Sequence, residues 1–247
     1  MRLSQLFGKT QRQPPAEAET ASHRLLVQAG MVAQLAAGIY SYLPLAWKVL
    51  RKIEEIVRQE MDAAGAQEVH LPSLHPLVMC QASGLHQTMK DVLFHLQDKR
   101  GREFVLGPTH EEVITDLFRR YVRSYRDLPL MLYQIQTKYR DEPRPRAGLI
   151  RLREFIMKDL YSFDADWEGL DRSYTTMVHA YENVFRRCGV PAVAVLADAG
   201  AMGGKDTHEF MFLTEVGEDS CLFCQACGYA ANAEVALFRK TPTHADE

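Results

Sequence analysis

Apolar positions recur at helical spacing from about residue 17. Leu25, Leu26, Ala29, Val32, Ala33 and Ala36 make one stripe, and Gly38 is placed to end the helix. A second stripe of Leu45, Val49, Ile53, Ile56 and Met61 predicts a helix over 44–64, closed by Gly65. Residues 67–71 read as a strand that stops at Pro72, and 75–90 as ambiguous helical turns. The runs 92–96 and 103–106 predict a hairpin across Lys99-Arg100-Gly101, broken by Gly107-Pro108. Thr109, with Glu112 three places on, has the form of a capping box for a helix through Ile114, Leu117 and Tyr121. A strand over 131–140 follows. A long helix then runs from Trp167 to about Cys188, with Asp164 or Asp166 as its cap and Gly189 and Pro191 beyond its end. Strands are predicted over 192–197 and 208–213, joined by a glycine-containing turn at 200–206. The chain after Cys221 is short and turn-rich, with a polar tail from Thr241. Residues 1–16, polar and carrying Pro14 and Pro15, form an extended lead-in. Helices grouped beside consecutive antiparallel strands predict an α+β fold and not a parallel βαβ array.

The densest chemistry lies between Lys138 and Phe163. Two β-like runs flank a centre broken by Pro143 and Pro145, which cannot donate ladder hydrogen bonds. Residues two apart on a strand share a face, so Arg140 and Glu142 point together. Arg151, Arg153, Phe155, Met157 and Asp159 share the face opposite Leu152, Ile156 and Leu160. Lys138, Arg140, Arg144, Arg146, Arg151 and Arg153 crowd one short stretch and repel one another unless an anion sits among them. Guanidinium forks suit phosphates, and an aromatic or guanidinium plane suits a purine. A solvated, salt-bridged hairpin is the alternative reading.

Composition narrows the setting. The chain has 247 residues, 47% hydrophobic and 25% charged, an ordinary globular balance long enough for one large domain or two small ones. A net charge of -3 gives no global basic field for nucleic acid, although local patches can still bind it. No apolar run of about 18 residues appears, so no membrane span is expected, and the N-terminus has no apolar signal core. Five cysteines, three of them near the C-terminal end, do not make a secreted disulfide framework, and a reduced cytoplasmic setting is expected. Cys221-x-x-Cys224-x-x-Cys227 has the spacing of half a zinc site, for which His244 and Cys188 are the remaining candidate ligands. Arg119, Arg120, Arg123 and Arg126 could touch an RNA backbone, but Asp116 and Asp127 favour a solvated helix end.

Tyr139-Arg140-Asp141-Glu142, a loop, and Arg151-Leu152-Arg153-Glu154-Phe155 resemble motif 2 of class II aminoacyl-tRNA synthetases. The continuation through Met157, Asp159, Tyr161 and Phe163 is similar to that of the bacterial-type prolyl-tRNA synthetases. Leu43-Pro44 and the following helix, as far as Gly65 to Val69 and Pro72, resemble motif 1, the class II dimer element. Gly107-Pro108-Thr109-His110-Glu111-Glu112 resembles the family's Thr-x-Glu proline loop. Thr207-His208-Glu209-Phe210 and Tyr229-Ala230-Ala231-Asn232 are also similar to segments of that family. The resemblance implies a class II antiparallel sheet flanked by helices, and ATP-dependent activation of proline for transfer to tRNA(Pro).

On these positions the resemblance assigns roles. Arg140 would hold the ATP α-phosphate and the prolyl carboxylate, Arg151 the γ-phosphate side, Phe155 the adenine face and Glu142 the adenine amino edge. Thr109 and Glu111 would receive the proline imino nitrogen, with His208, Met157 and Asp159 lining the pocket. Mg²⁺ would bridge the phosphates, and motif 1 would make a homodimer, although its apolar face could equally be internal core. The family's third motif, with a further ATP-binding arginine, and its anticodon-binding domain are expected downstream of what this chain holds. The expected organisation is therefore a lead-in over 1–16, a partial catalytic domain over 17–220 and a Cys-containing segment over 221–247, where an editing insertion begins in many relatives. A non-catalytic nucleotide-binding or dimerisation module, and a threonyl or seryl synthetase, are the competing readings. The Thr-x-Glu loop favours proline.

Overall fold

Residues 2–13, 15, 18, 20–200, 204, 207–215 and 217–237 are described by the computed structural model. The lead-in includes a 3-10 turn over Leu3–Gln5. The first predicted helix proves to be a short helix followed by a hairpin. Helix α1 (Ala21–Gln28) starts at Thr20, whose hydroxyl accepts from the His23 N–H at 3.3 Å. The chain then turns at Gly30 (φ +62°), where a Cβ would meet the Lys9 carbonyl at 2.8 Å. The apolar stripe runs on past this turn, but Val32, Ala33 and Ala36 belong to β1 (Val32–Ala36), paired antiparallel with β2 (Ile39–Tyr42). Gly38 is the hairpin turn and not a helix end. Its φ of +74° and the Pro145 Cβ, 2.7 Å from where its own Cβ would stand, both exclude a side chain.

Helix α2 (Pro44–Ala63) begins, as expected, with proline in its first turn, where the absent N–H leaves nothing unpaired. It buries Ala46 and Met61, while Trp47, Val49 and Ile53 remain exposed in this chain. The predicted strand after Gly65 shortens to β3 (Gln67–Glu68), which runs parallel to the strand over Leu130–Tyr139. Beyond it the backbone is held by the Tyr133 carbonyl, which accepts from the Val69 N–H at 2.8 Å, and by the Gln134 side chain, which accepts from Leu71 at 3.1 Å. The ambiguous 75–90 region contains β4 (Leu74–Pro76), α3 (Leu77–Ser83) and α4 (Leu85–Thr88). Strands β5 (His95–Gln97) and β6 (Glu103–Leu106) form the predicted hairpin, and β4 adds on the other side of β6.

Helix α5 spans Glu111–Tyr121, one residue later than the capping box implied. The Thr109 hydroxyl donates to the Glu111 carboxylate, and Glu112 accepts from the Ser83 hydroxyl at 2.6 Å, so neither side chain caps the helix. Asp116 pairs with Arg119 at 3.0 Å and Arg120 at 2.6 Å, as expected of a solvated helix end. Strands β7 (Leu130–Tyr139) and β8 (Glu154–Phe163) pair antiparallel over their full length. Helix α6 (Trp167–Arg187) opens at Asp166, which accepts from the Gly169 N–H at 2.7 Å, while Asp164 accepts from the Ser173 hydroxyl at 2.8 Å.

The chain forms two compact units, one ending at Ala180 and one beginning at Tyr181. The second holds β9 (Ala192–Ala197), β10 (Thr207–Phe212), β11 (Cys221–Phe223) and β12 (Ala230–Asn232), ordered β10-β9-β12-β11 in one sheet. Pairing is antiparallel except between β12 and β9. The predicted turn at 200–206 and the tail from Thr241 lie largely or wholly outside the described residues. No described helix is long and apolar enough to cross a membrane.

In the first unit α2 packs behind the β7–β8 hairpin through Met61, Ala66, Tyr133 and Ala180, and the Tyr133 hydroxyl donates to Asp62 at 2.7 Å. A neighbouring cluster joins Leu71, Ile114 and Leu132. Met61 is fully buried and Leu35 is 78% exposed. Met61→Ala is expected to lower unfolding free energy by about 2–5 kcal/mol through loss of transfer energy and an unfilled cavity. Leu35→Ala should change it by less than about 0.5 kcal/mol. Urea unfolding monitored by circular dichroism checks both.

Candidate active site

The full register of β7 and β8 creates one functional face. Lys138 stands opposite Phe155, Gln136 opposite Met157 and Gln134 opposite Asp159. The face that alternation predicted for Phe155, Met157 and Asp159 is therefore present, and β7 contributes polar side chains to it. Its centre is a buried ion pair: Lys138 is 0% exposed, and its Nζ lies 2.8 Å from Asp159 Oδ1. Asp159 Oδ2 accepts from Gln134 at 2.9 Å and from the Tyr161 hydroxyl at 2.6 Å. Lys138 Nζ also donates to His110 Nδ1 at 2.6 Å, while His110 Nε2 donates to the Pro72 carbonyl at 3.0 Å. The Tyr161 hydroxyl in turn accepts from the His110 backbone N–H at 3.2 Å.

These contacts fix protonation. A carbonyl only accepts and an ammonium only donates, so His110 carries its proton on Nε2 and presents a lone pair at Nδ1. Burial first, then the Lys138 charge and the neighbouring His75 ring, push the His110 pKa down to about 4. Burial lowers the Lys138 pKa, while its bond to Asp159 opposes that shift. The Tyr161 pKa is raised, chiefly by burial and then by donation to Asp159.

Next to this network is the Thr109–Glu111 segment. Thr109 is buried, Glu111 is exposed, and the two side chains are hydrogen bonded. Glu111 also lines an open cavity of about 550 Å³ between α3 and α5, together with Val78, Met79, Ala82 and Thr115.

Arg140 follows the end of β7. Its guanidinium carbon lies 5.4 Å from the centroid of the Phe155 ring, and Nη2 reaches the Pro108 carbonyl at 3.4 Å. Its Nε is buried without a partner. Burial lowers the Arg140 pKa, against the opposing effects of Glu111 and Glu142. A buried guanidinium edge with no acceptor is an orphan polar group, and an anion satisfies it.

Arg151 is placed differently from the strand reading. Tyr139 pairs with Glu154, so the ladder ends before either Arg140 or Arg151 is reached. The cross-chain neighbour of Arg140 is Arg153, whose carbonyl accepts from the Arg140 N–H at 2.9 Å. Arg151 belongs to the connecting loop, where it bridges Arg146 and pairs with Glu142 at 3.0 Å. The Glu142 carboxylate therefore serves Arg151 and, at 3.4 Å, the Arg144 N–H. The loop is braced by the β1–β2 turn, because the Gly38 carbonyl accepts from the Arg153 N–H at 2.9 Å.

Thr109, Glu111, Arg140, Phe155, Met157 and Asp159 thus come together in the first unit. His208 belongs to the second, on β10 opposite Leu196. The residues that pattern reading passed over are His110 and Tyr161, together with the pairing of Lys138. Lys138 is counted among the crowded cations of the hairpin, but nothing local gives its partner across 28 residues.

Among the described residues no group of three or more His, Cys, Asp or Glu side chains is arranged to hold an ion. Cys221 pairs with Asn232 across β11–β12, and Cys224 and Cys227 lie in the connecting turn. The Cys224 pKa is lowered by hydrogen bonds from the Cys227 backbone and side chain and from the Ala226 backbone. His244 lies outside the described residues.

Comparison with known proteins follows the same lines. A proline–tRNA ligase of Dehalococcoides mccartyi is 62% identical over 240 residues, covering 97% of this chain and 42% of the relative. One from Halothermothrix orenii is 55% identical over all 247 residues, 44% of its own length. The chain thus spans well under half of these relatives. A crystal structure of prolyl-tRNA synthetase from Cryptosporidium parvum, complexed with L-proline and AMP, superposes with a TM-score of 0.68 at 18% identity. That match covers 80% of this chain and 41% of the other, and it shows a shared fold. Residues 94–239, more than half of the chain, match the tRNA synthetase class II core domain (G, H, P, S and T). The chain belongs to the class II tRNA synthetase core-domain family.

Proposed function

We propose that the β7–β8 hairpin binds ATP and proline and carries the adenylate-forming part of a proline–tRNA ligase. The observation that carries this reading is Arg140, with its buried, unpartnered Nε held over Phe155 and beside the Thr109–Glu111 segment. Arg140 would bring the α-phosphate and the prolyl carboxylate together. The carboxylate oxygen attacks α-phosphorus, the bond to the bridging oxygen breaks, and pyrophosphate leaves with its electron pair. Both reactants are anionic, so this step depends on positioning and charge neutralisation more than on a general base.

Glu111, tied to Thr109, would receive the cationic imino group, which needs a carboxylate once it leaves water. Met157 and Asp159 would form the pocket floor, Asp159 through its hold on Lys138 and Tyr161. Phe155 would stack on adenine, Glu142 would meet its amino edge, and Arg151, 46% exposed, would reach the far phosphates. His208, on β10, would be added to the proline-binding residues by the resemblance alone. With no protein cage among the described residues, Mg²⁺ would enter on the phosphates and water of ATP. The names of the relatives favour tRNA(Pro) as acceptor; a homodimer through α2, whose Trp47, Val49 and Ile53 are exposed, and a cytoplasmic setting would follow from the resemblance. Residues 17–220 would carry the chemistry, with 221–247 following.

Proline-dependent exchange of pyrophosphate into ATP tests the reading. Exchange driven by threonine or serine instead would overturn the proline assignment, and binding of ATP and proline without exchange would leave this chain recognition alone. Arg140→Ala is expected to reduce exchange by roughly 10²–10³-fold, the cost of losing one donor to developing charge. Glu111→Gln should weaken proline binding roughly ten- to hundredfold, the range for a hydrogen bond to a charged group. ATP affinity should be nearly unchanged, and titration calorimetry with each ligand separates the two effects.

A further inference from the structure

The Lys138–His110 contact sits behind the residues just assigned, and no step in the proposed reaction uses it. Lys138 comes from β7 and His110 from the residue between Thr109 and Glu111, so the contact ties the hairpin to the segment that would grip the imino group. Both ends are anchored. Asp159 holds Nζ from β8, and the Pro72 carbonyl holds His110 Nε2 from the segment before β4. Pro72 accepts a second imidazole N–H from His75 at 2.9 Å, with the two rings edge to face at 4.6 Å. Tyr161 adds a third tie through the His110 backbone. The Thr109–Glu111 segment is thus located by the ring and backbone of the residue at its centre.

We propose that Lys138 is a positioning residue: by donating to Nδ1 it fixes His110 as a neutral Nε2–H imidazole hooked on Pro72, and so sets the Thr109–Glu111 segment for the substrate amine. An imidazolium is incompatible with this arrangement, because it would point an N–H at an ammonium 2.6 Å away. The charged and titratable groups facing the ring are His75 from β4, Lys138 from β7, and Asp159 and Tyr161 from β8. Glu111 also acts on Lys138 from the start of α5. Burial and the two cation-capable neighbours outweigh Asp159, which keeps the ring neutral down to about pH 4.

The substrate role rests on the proline reading, whereas the tautomer does not, so the test separates them. Long-range ¹H–¹⁵N spectra of the imidazoles in the full chain, with His110 assigned by a His110→Gln control, are expected to show a protonated Nε2 and an unprotonated Nδ1. That pattern should persist from neutral pH to about 4. In Lys138→Met the ring should titrate closer to the ordinary histidine range. Proline should then bind at least roughly tenfold more weakly, as when a positioned pocket loosens, with AMP affinity changed less than about twofold. A wild-type Nδ1–H tautomer, or a His110 that titrates in the ordinary range, overturns the proposal even if Lys138→Met fails to fold. A folded Lys138→Met with wild-type proline affinity also overturns it. Should the wild-type chain bind AMP but no proline while the tautomer is as expected, the proline reading and the positioning role built on it fall together.

Discussion

The buried ion pair between Lys138 and Asp159 is the contact on which the site depends. Removing an ammonium and a carboxylate from water is costly, and their attraction offsets that cost only when the remaining donors and acceptors are also satisfied. Here they are. Asp159 takes Gln134 and Tyr161 beside Lys138, and Lys138 takes His110 beside Asp159. Each of those partners leads to another element: Gln134 also accepts from the Leu71 backbone, and His110 donates to Pro72. Deleting one partner of a pair like this leaves an uncompensated charge, typically about 3–5 kcal/mol. The same bonds that make the pair tolerable therefore fix where the segments around it must run.

The connecting loop obeys a different constraint. Six cations in and beside it cannot be packed away together, and the structure divides them. Arg153 bonds the Glu142 carbonyl at 3.0 Å and approaches Asp141 at 3.6 Å, while Arg151 takes the Glu142 carboxylate. Lys138 is neutralised below, within the sheet. Arg140 receives one long bond to a carbonyl and the face of Phe155, with its Nε unpaired. The Gly38 turn holds the loop from outside, where any side chain would collide with Pro145. Stability is thus supplied around Arg140 while its own hydrogen-bonding capacity is left open, as expected of a group meant for a ligand.

The sequence made legible whatever depends on short-range periodicity. Helix α2 and the β7–β8 face follow from spacing, because burial on one side forces it, while α6 follows from its cap and end residues and the β5–β6 hairpin from its turn. The first helix is shorter than its apolar stripe because Val32, Ala33 and Ala36 continue the pattern beyond Gly30 as a strand, and a few apolar residues fit either period. Thr109 looked like a cap because Glu112 stood at the right spacing, but tertiary partners took both side chains. Alternation cannot reveal where a ladder ends, so it carries Arg151 onto a strand that begins only at Glu154. The motifs located the candidate site, yet His110 and Tyr161 were invisible as participants, since their roles come from contacts across 28 and 51 residues.

That division bears on how binding energy could be used. Arg151 already has a carboxylate partner and is half exposed, so an approaching phosphate would exchange one ion pair for another in a screened setting, with a small net gain. Arg140 is more deeply buried and short of acceptors, so an anion there would recover an unpaid desolvation cost and interact in a lower dielectric. Discrimination between bound ground state and developing transition state belongs where donors are fixed before the charge arrives. By that criterion Arg140, held by one backbone bond to Arg153 and by Phe155, is suited to the reacting centre. Arg151, on a loop it helps to close, is suited to orienting the distant phosphates, and the two arginines that looked equivalent in the sequence differ through their partners.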